Sequence, residues 1–127
     1  MSHDLTLFKL KRRVASLREF DESLVVPIGD DADVRRAIRS CLSGVMWSGG
    51  RGLLKAHGEW FDFVLPAQRP IVYVIVRTSR SGNGLATVVE LCERLGWSVF
   101  DGQEGDFVDV QAWHTLRDVP TAAELVP

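Results

Sequence analysis

Six consecutive apolar residues, Ile71-Val72-Tyr73-Val74-Ile75-Val76, constrain the fold more than any other stretch of the chain. All but Tyr73 are β-branched, so their side chains are stiff and pack well on a pleated surface. Apolar side chains at every position leave neither face of a strand for water, which predicts the central strand of a sheet. Length excludes the other home for such a run: a bilayer needs about 20 apolar residues, and six cannot cross it.

A central strand needs neighbours, and the preceding residues supply them. In Glu59–Leu65, Phe61, Phe63 and Leu65 share one face while Trp60, Asp62 and Val64 share the other, the period of a strand. Leu53–Ala56 precedes it across His57-Gly58, a candidate tight turn, and Pro66–Pro70 turns the chain into the central strand. Asp4–Lys11 alternates as a strand with one wetter end, although Leu7, Leu10, Val14 and Leu17 also fit a helical stripe. Its short β-type run favours strand.

Two segments change period. Val34, Ile38, Leu42 and Val45 recur at helical spacing, joined by Ala37 and Cys41, with Asp30 or Asp31 as N-cap and Gly44 as a stop. Asp33 suits the positive end of that helix, and Arg35, Arg36 and Arg39 fall on its wet side. A second helix over Leu85–Leu95 buries Leu85, Val88, Val89, Cys92 and Leu95, with Asn83 as candidate cap and Gly96 as terminator. Trp97–Phe100 and Phe107–Val110 then read as a hairpin around Asp101–Asp106, and 111–127 as a docked or partly flexible tail with room for a short helix. The expected fold is one α+β domain over 1–127, ordered β-α-β-β-β-α-β-β, with a mostly antiparallel sheet and both helices on one face. The other face would then need water-tolerant side chains or a partner.

Composition narrows the function classes. Apolar residues are 46% and charged residues 25% of 127, ordinary for a chain that builds its own core. The opening Met-Ser-His-Asp shows no cationic start before an apolar stretch, so a cytoplasmic product is expected. Cys41 and Cys92 form no C-x-x-C pair and fall on apolar helix faces, where thiols behave as small hydrophobes. The net charge of −2 hides an asymmetry: 13 Lys/Arg against 9 Asp/Glu up to residue 83, then 2 against 8. No basic run with interleaved aromatics occurs, which disfavours nucleic acid.

Chemistry-bearing candidates are few. Asp101, Glu104, Asp106 and Asp109 gather in nine positions without EF-hand spacing. They read as a polar hairpin tip or as an acidic knob for a basic partner; a wet loop does little to move carboxyl pKa values. The turn Arg77–Gly84 enters a helix N-terminus, where backbone N–H groups favour anions. Arg77, Arg80, Ser81 and Asn83 are its candidate ligands, but neither a P-loop nor a dinucleotide fingerprint is present. His3, His57 and His114 lack metal-ligand spacing, and no nucleophile elbow occurs. No catalytic residue, metal or cofactor is therefore assigned. Of the tryptophans, Trp97 reads as core, and Trp60 lies opposite Phe61 and Phe63, where an exposed indole would suit an interface.

Three short motifs carry a family resemblance: Ser2-His3-Asp4-Leu5 with Phe8, Leu95-Gly96-Trp97, and Phe100-Asp101-Gly102-Gln103-Glu104-Gly105-Asp106-Phe107. With them the chain resembles, over most of residues 1–110, a loose group of small, mostly uncharacterised bacterial α+β proteins. Some of these are similar to immunity proteins that neutralise toxins passed between competing bacteria. The group's usual Asp-Pro-Gln turn is Asp-Gly-Gln here. The resemblance implies a strand at the N-terminus and lends no catalytic residue. It implies a protein partner such as a toxin, and the acidic C-terminal hairpin would suit a basic one. A homodimer through an open sheet face is a further expectation, and a small anionic-ligand binder or enzyme is the alternative.

Overall fold

The computed structural model describes residues 2–56, 58–79 and 83–118, the last four of these by backbone alone. Among the described residues, seven strands form one sheet: β1 (Ser2–Phe8), β2 (Met46–Ser48), β3 (Arg51–Ala56), β4 (Glu59–Val64), β5 (Tyr73–Ser79), β6 (Ser98–Asp101) and β7 (Asp106–Phe107). Their spatial order is β2-β3-β4-β5-β1-β6-β7, antiparallel throughout. The strand that holds the end of the long apolar run, Tyr73–Val76, is the middle one of seven. Val74 and Val76 are buried on its helix side, whereas Tyr73 and Ile75 on the other side are only half-buried, so the expected burial of both faces is met on one. The order along the chain gains two elements over the expectation: the short edge strand β2, and helix α3 (Val110–Asp118).

Helices α1 (Asp31–Cys41) and α2 (Gly84–Leu95) cover one face of the sheet. Asp30 caps α1 through a capping box: its carboxylate accepts from Asp33 N–H, and the Asp33 carboxylate accepts from Asp30 N–H. The helix ends at Cys41 rather than running to Gly44. Asn83 precedes α2 but makes no side-chain cap bond, while Gly96 closes it at φ 75°, a left-handed conformation that suits glycine. Under the helices lie Leu5, Leu7, Phe61, Phe63, Val74, Val76 and Val99, facing Val34, Ile38, Val88 and Cys92. Trp97 is core.

The opposite face is divided. Residues 9–26, with two short 3₁₀ turns at Leu17–Glu19 and Glu22–Leu24, fold over its β1–β6–β7 end. Leu10 and Val14 pack there with Phe8, Phe20, Phe100 and Phe107, the rings 5.3–6.0 Å apart. Helical use of Leu7, Leu10, Val14 and Leu17 does not occur; β1 stops at Phe8 so that the chain can turn onto this second cluster. No described segment is packed over the β2–β3–β4–β5 part of this face.

The last hairpin is shorter than expected. β7 holds only Asp106 and Phe107, and Val110 begins α3 instead of ending a strand, because the Asp109 carboxylate accepts from Ala112 N–H and caps the helix there (3.1 Å). Residues 119–127 of the expected tail lie outside the described residues.

Candidate functional site

The acidic hairpin spends most of its carboxylates inside the fold. Asp101 is buried, and one of its oxygens accepts from His3 Nε2 (2.8 Å), Gln103 N–H (3.0 Å) and Glu104 N–H (3.4 Å). Asp106 accepts from its neighbour Phe107 N–H and, across 89 positions, from Leu17 N–H. Asp109 is the cap of α3. Glu104 alone of the four stands exposed with its carboxylate in no described hydrogen bond or ion pair. The carboxylates that crowd together in sequence thus have separate structural tasks.

The residues around the second helix's entry are placed on opposite sides of the sheet. Arg77 pairs in register with Asp62 and Asp4 and turns to the face away from the helices, its Nε 3.8 Å from Asp4. Asn83 sits at the start of α2, where its N–H donates to Glu59. Arg80 and Ser81 lie outside the described residues.

A cleft of about 300 Å³ lies between the 13–19 segment, the end of α2 and α3, lined by Arg13, Glu93, Trp97, Ser98 and His114 among others. Its charged groups already hold the elements together: Arg13 donates to the Glu93 carbonyl, and His114 Nε2 lies 2.6 Å from the Glu93 carboxylate. Among the described residues no three His, Cys, Asp or Glu side chains converge as metal ligands. Burial pushes the Cys92 thiol well above its ordinary range, so it is held protonated.

The open half of the sheet is different, because large apolar side chains lie bare on it. Met46 is 77%, Leu53 57% and Trp60 39% exposed. Register sets their placement, with Met46 and Leu53 direct partners and Trp60 diagonal to Leu53. Met46 pairs with Leu53, Leu53 with Asp62, and Asp62 with Arg77, one row across four strands. Lys55 pairs with Trp60 one step along, and Arg51 with Val64 and then Ile75 on the other side. Strand alternation sends all of these to one face, since Gly52, Phe61, Phe63, Val74 and Val76 occupy the buried one.

Electrostatics on this face is set by two cross-strand ion pairs. Arg51 forks onto Asp62 with both Nε and a terminal nitrogen, and the bond raises the guanidinium's pKa further above its ordinary value. The two partners are unequally placed: the Arg51 side chain is 61% exposed, that of Asp62 only 10%. Arg77 reaches Asp4, and Lys55 stands exposed.

Trp60, singled out by alternation, is on this surface. Met46 and Leu53 were not singled out. Leu53 carried a usable signal, since Leu53 and Leu54 are adjacent in a strand and only one can face the core. Met46 carried none, because three residues beside a Gly-Gly turn are too few to show a period. No helix of the described residues is long and apolar enough to cross a membrane. No family model, curated protein or solved structure matches the chain.

Proposed function

We propose that this chain is a non-enzymatic protein-binding domain whose contact surface is the uncovered β2–β5 part of its sheet. The sequence resemblance suggests an immunity-type inhibitor of a bacterial toxin as its biological form. One observation carries the reading: Met46 and Leu53 pair directly and Trp60 stands diagonally across from Leu53, on a part of the sheet that no described segment covers. Exposed apolar side chains scattered singly are ordinary, but adjoining ones rimmed by charge mark contact sites. An indole and a thioether there suit an interface centre, and charged residues suit its rim. The acidic hairpin is a poorer candidate, because three of its four carboxylates are bonded within the chain.

Site-specific photocrosslinking in the native host tests this. A benzoylphenylalanine at Leu53 should give a discrete adduct that is lost when Trp60→Ala is added. The same probe at Arg36, on the outer side of α1, should give none. Identical adducts from both positions, or none from Leu53, would overturn the proposal.

A further inference from the structure

We infer that the partner surface is apolar at its centre and carries carboxylates around it. This rests on the open face being the binding surface, and it adds what that surface selects. On its open side β3 displays Arg51, Leu53 and Lys55 in succession, a cation on each side of an apolar residue. Alternate residues of a strand are about 6.6–6.8 Å apart. A side chain seated on Leu53 therefore has a cation-bearing residue about 6.6–6.8 Å away in each strand direction.

The anions do not cancel this field outward. Asp62 lies beneath Arg51, so its charge is turned into the protein while the guanidinium faces water. Arg77, two strands away on β5, adds a third cation, held only loosely by Asp4 at 3.8 Å. The face is thus cationic at its rim in a chain whose net charge is −2. Carboxylates opposite Arg51 and Lys55 would gain charge-assisted hydrogen bonds and speed encounter.

The same pattern argues against a second copy as the occupant. Stacking Leu53 on Leu53 about a two-fold axis brings the flanking cations of one β3 against those of the other. Like charges so placed oppose association.

Selection of a phage-displayed library of random dodecapeptides on the immobilised full chain tests the inference. Leu53→Asp and Lys55→Glu serve as comparison targets; both positions are exposed, and unchanged thermal melts would show that both variants fold. Enriched peptides should pair an aromatic or aliphatic anchor with Asp or Glu and fail on Leu53→Asp. They should bind Lys55→Glu about tenfold more weakly and lose most of that preference at high salt. Neutral or basic peptides that need Leu53 but ignore Lys55→Glu would overturn the acidic partner and leave the binding face standing. Enrichment indifferent to Leu53→Asp would overturn both. Sedimentation showing a dimer of the unmodified chain, dissolved by Leu53→Asp, would give the face to a second copy and overturn the acidic partner.

Discussion

The Asp101 side chain shows how a carboxylate that looks available in sequence is used up by folding. Its Oδ1 takes hydrogen bonds from the ring of His3, at the start of β1, and from two backbone N–H groups of its own turn. Removing a buried acceptor leaves donors unpaired, at a cost of about 1–3 kcal/mol. Asp101→Ala should therefore lower unfolding stability by about that amount in urea titrations, whereas Glu104→Ala should stay within about 0.5 kcal/mol. Equal, negligible effects would mean that the His3 contact holds nothing. A second residue-scale test lies at Gly84. A methyl group there would overlap Thr78 Oγ1 and come within 2.9 Å of Thr78 Cγ2. Alanine is otherwise the better helix former, so a loss of about 1–3 kcal/mol in Gly84→Ala would come from overpacking. Thr78→Ala removes both colliding atoms. The double variant should then be more stable than the sum of the single effects predicts, by about 1 kcal/mol or more in a double-mutant cycle.

Among the elements, legibility followed the strength of the local signal. The unbroken apolar run, the Phe61/Phe63 alternation and the two helical stripes each extend over several residues, and each marks an observed element. β2 and β7, with three and two residues, hold too few repeats to declare a period. Val108–Val110 misled for another reason: β-branched residues favour strand locally, but the Asp109 cap starts a helix and overrides them. The site was half legible on similar grounds. Alternation set Trp60 apart, but which strands adjoin Trp60, and which part of the face stays bare, depend on pairings and on a chain path no local pattern encodes. Among the caps, Asp30 makes a prediction in pH. The Asp33 backbone N–H lowers its carboxyl pKa below the ordinary 3.8, partly opposed by desolvation, with the Asp33 side chain, Ala32 N–H and Arg36 lowering it further. A folded pKa below the unfolded one stabilises above the unfolded value, and that contribution is lost as pH falls through the folded one. Chemical unfolding of Asp30→Asn, which keeps an acceptor at the cap, should thus approach the unmodified protein's stability as the solution is acidified below pH 4. A gap that stayed constant from neutral pH to pH 2 would contradict the cap's ionic character.

At the scale of the molecule, the helix-covered face and the open β2–β5 part of the sheet differ in how far their apolar side chains are buried, and that difference can be measured. The helix-covered face supplies the core: Phe63 is fully buried among Phe61, Val76 and Trp47. Truncating such a residue removes its transfer energy and leaves a cavity, costing about 3–5 kcal/mol. Against a total stability of about 5–15 kcal/mol for a domain of this kind, Phe63→Ala should lose a large share of it, read as a clearly lowered urea midpoint. Leu53 lies one strand away on the other side of the same sheet, more than half exposed. In the free protein its side chain has little apolar contact to lose, so Leu53→Ser should shift stability by no more than about 0.5 kcal/mol. If Leu53→Ser instead cost above 2 kcal/mol in the free chain, the side chain would be serving the fold, and the open face would lose its claim as a contact surface. A neutral Leu53→Ser that abolished the adduct of a benzoylphenylalanine placed instead at Trp60 would separate the helix-covered face, whose apolar residues hold the fold, from the open β2–β5 part, whose apolar residues serve something outside it.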